Sequence, residues 1–353
     1  MANILGKRNT VDLYFFEGRP GEQGRNPNKI NFNLIKVKNC DNKIIKTFFK
    51  QIPRAIEILH IEGLFKNFLN DNYDIIQIEH PENGLFCFKF GKIEKRNVVI
   101  TDHNVAFFQY KSIGMPYWRL IKKFEIFSLN AADHVVTVSD FDKEKLSKYV
   151  GNLNQTVIQN GVDLALYKKK KFNFQKSESK IFIIGYHGNY EYHPNMEAAR
   201  ILSEKIAPEL KKKGLKFKIL LIGHNAPSVN NPYVNSIGVV EDLPKYLRLL
   251  DMAVVPLVSG SGTRLKILEY MASGIPVVST SMGAEGLNVN DGKNILISDD
   301  IPLDFCNKIM LLANDINMQK LLSKNACNLV KKEYNWENLI PKYEDIYKKL
   351  LNK

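Results

Sequence analysis

Two cations and a carboxylate stand close together in the stretch Pro256–Ser281, which reads PLVSGSGTRLKILEYMASGIPVVSTS. Helical spacing places Lys266 and Glu269 about one turn apart on one face. Arg264 and Lys266 fall in the first turn of that helix, where the helix dipole is positive and cations are unfavourable. Because free backbone amides and cations at a helix N-terminus bind anions, this combination predicts a site for phosphate or diphosphate.

The elements that must position these side chains are visible in the same region. The β-branched run Met252–Leu257 predicts a buried strand, and the small-residue turn Ser259–Gly262 leaves the backbone open to a ligand. A hydroxyl at Thr263 can cap the helix Arg264–Ser273. The apolar face of this helix is predicted to include Leu265, together with Leu268 and Ala272.

A simpler interpretation exists for such a helix taken alone. Lys266 and Glu269 would form an ordinary surface pair, and Arg264 would be solvated. The preceding strand and glycine turn favour the anion site instead, because local conflicts with helix preferences tend to mark functional sites.

Length and composition limit the class of protein. The chain has 353 residues, enough for two domains, and its 44% hydrophobic and 25% charged residues are typical of a soluble globular protein. No apolar run reaches the ~18 residues of a membrane span, and the N-terminus lacks the apolar core of a signal peptide. Four cysteines without ligand spacing predict reduced thiols and a cytosolic protein: Cys40, Cys87, Cys306 and Cys327.

A net charge of +13 leaves several anionic partners open: nucleic acid, a membrane surface or a phosphorylated substrate. No aromatic-interleaved basic motif, zinc finger or basic helix accompanies it, so no nucleic-acid partner is predicted. The lysine run Lys168–Lys171 is typical of a solvated linker. The segment Asn42–Leu59 mixes apolar and basic residues, which predicts either peripheral contact with an anionic membrane or a surface helix packed on a core.

Strands alternate with helices along the chain, which predicts parallel βαβ units in an α/β fold. Periodicity is lost and lysines accumulate over residues 165–180, which indicates a linker. The prediction is therefore a first domain over 1–164, a second domain over 181–335, and a C-terminal helix over 336–353 that packs back toward the first domain. In such sheets ligands gather at the carboxyl ends of the strands.

The motifs in this framework resemble those of glycosyltransferase family 4, retaining sugar-nucleotide transferases of the GT-B fold. The resemblance covers roughly Asp74–Glu333. It is carried, in the family's order, by TDHN (Thr101–Asn104), TVIQNGVD (Thr156–Asp163), FIIGYHGNYEYHPN (Phe182–Asn195), VVEDLPKYLRLLDMAVVPL (Val239–Leu257) and GSGTRLKILEYMASGIPVVSTSMGAEGL (Gly260–Leu287). It implies two Rossmann-like domains that face each other across a cleft.

The resemblance also implies residue roles. Arg264 and Lys266 would neutralise the donor diphosphate and stabilise the departing nucleoside diphosphate. Glu269 matches the second glutamate of the family's E-x7-E pattern, which accepts hydrogen bonds from the ribose hydroxyls. His103 matches the family's active-site histidine, although a capped or core histidine at a strand end is the alternative. The other implied donor-binding positions are Gly185, His187 and Gly188 beside the diphosphate or sugar, Glu241 and Leu243 beside the nucleobase, and Ser261, Gly262 and Thr263 in the glycine turn.

Two departures from the family pattern bear on these expectations. Ser261 stands where the first glutamate of E-x7-E should fall, which leaves the donor sugar open. The chain opens with ANILGKRNTVDLYFFEG, which resembles the end of the family's first helix and its next strand. The first β-α unit is therefore expected to be missing, as in a truncated gene model, a split partner or a degenerate enzyme.

The function implied is that of a retaining, metal-independent hexosyltransferase without a cofactor. It would move a sugar from a nucleotide diphosphate sugar to a glycan or lipid-linked acceptor, as in polysaccharide biosynthesis. One alternative is a non-catalytic pseudo-glycosyltransferase that binds a nucleotide sugar or a partner protein. Another is a different GT-B sugar-nucleotide enzyme such as an epimerase, which would need carboxylates poised for proton transfer.

Overall fold

A computed structural model describes residues 1–16, 33–37, 73–81, 95–112, 114–151, 154–167, 181–260 and 262–352. The chain divides into two compact units. The first comprises Met1–Asn160 with Trp336–Lys353, and the second comprises Gly161–Asn335. The C-terminal helix therefore belongs to the first unit.

The first unit is built on parallel strands. They are β1 (Asp12–Phe16), β2 (Asn33–Val37), β3 (Ile75–Glu79), β4 (Asn97–Asp102), β5 (His134–Thr137) and β6 (Gln155–Val157). Its helices, in chain order, are α1 (Ala2–Leu5), α2 (Ala106–Ser112), α3 (Trp118–Ala131) and α4 (Asp140–Ser147). Strands β3 to β6 form a parallel sheet in sequence order, and β1 pairs with β2.

The burial of strand β4 shows that this sheet is covered on both faces. Its residues from Val98 onward are buried, as expected for a central parallel strand. Because side chains alternate across a strand, Val98 and Ile100 belong to one core and Val99 to another. The second core includes Leu339 and Tyr343 of the C-terminal helix.

The second unit carries the sheet β12-β11-β10-β7-β8-β9, in which every pairing is parallel. Its strands are β7 (Phe182–His187), β8 (Phe217–Ile222), β9 (Val234–Gly238), β10 (Met252–Val255), β11 (Val277–Ser279) and β12 (Leu296–Ile297). Its helices are α5 (His193–Ile201), α6 (Ala207–Lys212), α7 (Leu243–Leu247), α8 (Leu265–Ala272), α9 (Leu303–Asn314) and α10 (Ile316–Glu333), and the C-terminal helix Trp336–Leu351 is α11.

The strand order places a switch point between β7 and β10. From β7 the chain moves to β8 and β9 on one side and then returns to β10, β11 and β12 on the other. Loops after strands on either side of such a point diverge, which leaves a crevice at the carboxyl ends. The turn after β10 and the loop after β7, both singled out from the sequence, lie at this edge.

The predicted α/β class with two parallel-sheet domains is confirmed. A π-helical turn, Leu202–Ile206, separates α5 from α6. Pro208 in the first turn of α6 cannot donate a backbone hydrogen bond, which accounts for the irregular turn before it.

Several predictions concern residues outside the described ranges. These are the helical segment Asn42–Leu59 with its possible membrane contact, the lysine run Lys168–Lys171, and Cys40 and Cys87. Cys306 and Cys327 are both buried. Within the described ranges, no helix is both long enough and apolar enough to cross a membrane.

Candidate functional site

Helix α8 begins at the switch point, directly after the glycine turn. Gly260 and Gly262 have φ values of 104° and 85°, which favour glycine over other residues. The N-cap is Arg264, without a side-chain capping bond, so the predicted Thr263 cap is wrong. The helix starts one residue later than predicted, and Leu265 is 46% exposed rather than part of the apolar face.

Lys266 is held by Tyr186, in β7, and by Asn195, in the first turn of α5. Its Nζ donates to the Tyr186 hydroxyl at 2.7 Å and to Asn195 Oδ1 at 2.7 Å. The Tyr186 hydroxyl also donates to Asn195 Oδ1 at 2.6 Å, and Asn195 Nδ2 donates to the Asn189 carbonyl at 2.7 Å. The ammonium is thus fixed by a prearranged network instead of being a mobile surface charge.

The surroundings of Lys266 are unfavourable to its charge. Desolvation lowers the pKa of Lys266 well below its usual value, and the nearby Arg264 charge acts in the same direction, while Glu269 opposes it. Arg264 is itself only 6% exposed. Two cations close together in a partly dehydrated place would be stabilised by an anion, because the field of a bound phosphate offsets their mutual repulsion.

Glu269 is fixed at both carboxylate oxygens. The Tyr167 hydroxyl donates to Oε1 at 2.5 Å, and His187 Nε2 lies 2.7 Å from Oε2. The backbone amide of His187 donates to the Tyr270 hydroxyl at 2.8 Å, and the two rings meet edge to face at 4.8 Å. Within the described part of the chain, Nδ1 of His187 is buried without a hydrogen-bond partner. The carboxylate is therefore held rigidly toward the start of α8.

Glycines bring the backbone close to these groups. The amide of Gly188 donates to the Ile222 carbonyl at 3.0 Å, next to Gly223, whose φ is 129°. A Cβ at Gly223 would lie 2.0 Å from the Gly188 carbonyl oxygen. A Cβ at Gly188 would lie 2.9 Å from Asn195 Nδ2 and 3.1 Å from Lys266 Nζ. Only glycine at both positions leaves this loop next to the ammonium.

Substituting Gly188 with alanine tests this arrangement. The added methyl would push Lys266 and Asn195 out of place, so we expect affinity for a nucleoside diphosphate such as UDP to fall roughly tenfold. Titration calorimetry measures the affinity, and Gly151→Ala is the matched control because a Cβ there meets nothing within 4 Å. Unchanged affinity in Gly188→Ala would show that this loop does not approach the ligand.

The remaining residues that the sequence predicted to bind the donor lie in three places: strand β7, the start of α7 and the turn before α8. Gly185 is inside β7, where a Cβ would lie 2.2 Å from Leu250 Cδ1, so packing alone requires glycine there. Glu241 is exposed before α7, and Leu243 is the first residue of α7. Gly262 and Thr263 lie in the turn before α8, and Ser261 lies outside the described residues.

His103 belongs to the first unit, at the carboxyl end of its sheet. It directly follows β4, and its Nε2 lies 2.6 Å from Oε2 of Glu79, the last residue of the neighbouring strand β3. Its Nδ1 lies 3.2 Å from Asn160 Oδ1. The imidazole is therefore half-buried and held at both nitrogens by polar groups.

Glu79 was not among the sequence-predicted residues, and a chain of hydrogen bonds fixes it. Gln77 Nε2 donates to Glu79 Oε1 at 3.2 Å and to Thr101 Oγ1 at 2.6 Å. The Tyr347 hydroxyl of α11 donates to Gln77 Oε1 at 3.2 Å. The signal in the sequence was the strand DIIQIE, whose last residue must lie at the same sheet edge as His103.

Two family models match the chain. The model described as Glycosyltransferase Family 4 matches residues 3–166, and the model described as Glycosyl transferases group 1 matches residues 181–315. An uncharacterized glycosyltransferase of Methanocaldococcus jannaschii is 24% identical, over 99% of this chain and 92% of the relative. An uncharacterized 44.6 kDa protein in the cps region of Klebsiella pneumoniae is 21% identical, over 85% of this chain and 79% of the relative.

Solved structures show the same fold. Sucrose-phosphate synthase of Thermosynechococcus elongatus has a TM-score of 0.76 at 16% identity, over 99% of this chain and 91% of that one. Anabaena HepE in complex with UDP-glucose has a TM-score of 0.67 at 14% identity, over 96% of this chain and 99% of that one.

Proposed function

The chain belongs to glycosyltransferase family 4 and has the GT-B fold, and from this premise we propose a retaining, metal-independent transfer of a sugar. The donor would be a nucleotide diphosphate sugar, and the acceptor a glycan or a lipid-linked saccharide. One observation carries the proposal: two cations and a fixed carboxylate lie within the first two turns of α8, at the switch point of the sheet.

The three charged residues match two parts of a nucleotide diphosphate sugar, the diphosphate and the ribose. Lys266 and Arg264 would contact the diphosphate, where the start of α8 adds the favourable end of the helix dipole. Glu269, fixed by Tyr167 and His187, would accept hydrogen bonds from the ribose hydroxyls. A carboxylate is a suitable acceptor for a vicinal diol because hydrogen bonds to charged acceptors are short and strong.

The proposed reaction needs no protein nucleophile. The acceptor hydroxyl attacks the anomeric carbon from the face that the diphosphate leaves, so the new C–O bond forms as the C–O bond to the phosphate breaks. The acceptor proton passes to the departing phosphate oxygen. Lys266 and Arg264 stabilise the negative charge that grows on the leaving group, the role that a metal ion has in other phosphate enzymes.

In the same proposal, His103 contacts the transferred sugar. Glu79 then acts through the histidine, because its carboxylate lies 2.6 Å from Nε2 and sets the orientation of the ring. Neither residue is required to form a covalent bond with the substrate.

The Glu269→Gln variant tests the assignment of the ribose. Wild-type protein is expected to bind UDP more tightly than 2′-deoxy-UDP, by roughly tenfold, because the diol meets a charged acceptor. Glutamine keeps the shape of the side chain but has a single acceptor oxygen and no charge, so this preference should largely disappear. Calorimetric titration with both nucleotides measures it, and GDP and ADP with their deoxy forms replace UDP if it does not bind.

Glu204→Gln is the control, because it replaces an exposed carboxylate of the same unit with a carboxamide. It should keep the wild-type preference for UDP over 2′-deoxy-UDP. If Glu269→Gln keeps the full preference for the ribose form, the nucleotide does not lie on this carboxylate and the site assignment is wrong.

A further inference from the structure

The solvent-facing side of α3 is unusual for a surface helix. Leu120 is 51% exposed and Phe127 is 43% exposed, and they alternate with the exposed cations Arg119 and Lys123. The single acidic residue of this helix, Glu125, is buried and accepts from two backbone amides at the start of α2. Its exposed charge is therefore entirely basic, interleaved with large apolar side chains.

The neighbouring helix α4 adds exposed rings and cations, and its exposed carboxylates Asp140 and Glu144 offset part of their charge. Lys122 Nζ lies 3.8 Å from the ring centroid of Tyr149, just after α4. Lys145 Nζ lies 3.7 Å from the ring centroid of Phe141. Both rings are well exposed, at 40% and 45%. The acidic Glu144 on this helix pairs with Lys148 at 3.3 Å, which reduces its effect on the local charge.

The start of α3 completes the surface. Tyr117 is 48% exposed, and Trp118 lies between Lys111, 5.2 Å from its ring centroid, and the guanidinium of Arg119 at 4.9 Å. We call this set the aromatic–basic surface. It comprises Lys111, Tyr117, Trp118, Arg119, Leu120, Lys122, Lys123, Phe127, Phe141, Lys145 and Tyr149.

The chemistry of this surface fits one partner best. Amphipathic rings and long cationic side chains are favoured at the boundary between lipid headgroups and acyl chains, where the ring enters and the charge remains in the headgroup layer. Nucleic acid is less suitable, because several of the rings are already covered by the protein's own lysines and Leu120 offers no stacking plane. Excess positive charge selects anionic headgroups.

We propose that the aromatic–basic surface docks the first unit onto an anionic lipid bilayer. Lys111, Arg119, Lys122, Lys123 and Lys145 contact the headgroups, and Leu120, Phe127, Phe141 and the rings beside them enter the interface. Docking does not depend on the nucleotide site, which lies in the second unit. If the acceptor is lipid-linked, this contact brings the enzyme to the surface that carries it.

Vesicle binding by the full-length protein tests the proposal. Wild-type protein should sediment with vesicles of equal parts phosphatidylglycerol and phosphatidylcholine, and should not sediment with phosphatidylcholine alone. Higher salt should weaken the binding, because counterions screen the headgroup charge. Equal binding to both kinds of vesicle, or to neither, would overturn the proposal.

Two double variants separate the charge from the apolar contribution. Arg119→Glu with Lys123→Glu should reduce binding to the anionic vesicles by roughly tenfold or more, since each basic residue contributes separately. Leu120→Ser with Phe127→Ser should also reduce binding to the anionic vesicles, because these side chains no longer insert into the bilayer. The salt dependence of the remaining binding should be unchanged. Binding of both variants at the wild-type level would overturn the proposal.

Matched controls exist on the second unit. Lys205→Glu with Lys324→Glu makes the same charge change at exposed positions, and Leu311→Ser with Leu321→Ser removes leucines that are 46% and 50% exposed. Both should bind as wild type, and a loss as large as that of the surface variants would mean that net charge or apolarity, not this surface, is responsible. Thermal unfolding of each variant reports folding, and UDP titration reports the nucleotide site in the second unit separately from docking. Binding of single-stranded DNA by the aromatic–basic surface without vesicle binding would replace the lipid proposal with a nucleic-acid one.

Discussion

Replacing Lys266 with methionine is expected to weaken UDP binding by roughly 10- to 150-fold, the range for losing a hydrogen bond to a charged group of about 1.5–3 kcal/mol. The same change is expected to make the unliganded protein more stable. The loss of affinity follows because the ammonium would donate to the diphosphate. Methionine fills similar volume without the charge, and the bond from Tyr186 to Asn195 at 2.6 Å remains.

The gain in stability follows from the lowered pKa of Lys266. Between that folded-state pKa and the ordinary value near 10.5, the unfolded chain binds a proton that the folded protein does not. The contribution of Lys266 to the free energy of unfolding therefore increases with pH between these two pKa values. At pH values below the folded-state pKa, the folded protein carries an unfavourable buried charge. Methionine removes this cost, so the melting temperature of the free protein should rise at neutral pH.

The same linkage predicts how UDP affinity depends on pH. A bound diphosphate would favour the charged form of Lys266, so its pKa would rise on binding and a proton would be taken up wherever pH exceeds the pKa of the free protein. Affinity should therefore fall as pH rises through this range, and the decline should be smaller in Lys266→Met. Calorimetry in buffers of different ionisation enthalpy measures the proton uptake.

Lys205→Met, at an exposed position of the same unit, is the control for both measurements. The interpretation would be contradicted if Lys266→Met bound UDP as wild type, or if it melted below wild type while the control did not. A lower melting temperature would show that the ammonium stabilises the empty site, contrary to the desolvation argument.

The helix that carries the site could be predicted from the sequence because its signals are local. A glycine turn, a charged first turn and an apolar repeat occur within twenty residues, and α8 lies where they indicated. The first turn was predicted less well. Thr263 has the right side chain for a cap, but the turn leaves Arg264 at the N-cap position, and backbone conformation in the turn overrides side-chain preference.

What holds Glu269 could not be predicted in the same way. Tyr167 lies 102 residues from it in sequence, and a tyrosine just before a run of lysines has no local feature that indicates a partner. For Glu79 the strand DIIQIE indicates the sheet edge, but the contact with His103 forms only because β3 and β4 are neighbours. Contacts of this kind depend on sheet order, and motif spacing carries no information about it.

Replacing Arg264 with alanine is expected to reduce turnover by roughly 10²- to 10³-fold, the range for removing one group that stabilises developing charge. Affinity for UDP should fall much less than turnover, because the guanidinium would interact most strongly with the leaving group as its charge grows in the transition state. The rate is measured as release of UDP from a UDP-sugar, with GDP- and ADP-sugars in parallel. Arg264→Lys should recover part of the activity, since a lysine keeps the charge but loses the planar, bidentate geometry.

Folding must be separated from chemistry here, because Arg264 is only 6% exposed and its Nε lies 3.5 Å from the Met282 carbonyl. Thermal unfolding of each variant reports stability, and Arg200→Ala, an exposed change on α5, is the matched control. If Arg264→Ala folds and turns over within threefold of wild type, Arg264 does not stabilise the leaving group. If instead kcat is unchanged while KM rises by the factor by which UDP affinity falls, the arginine binds substrate and transition state equally and belongs to binding alone.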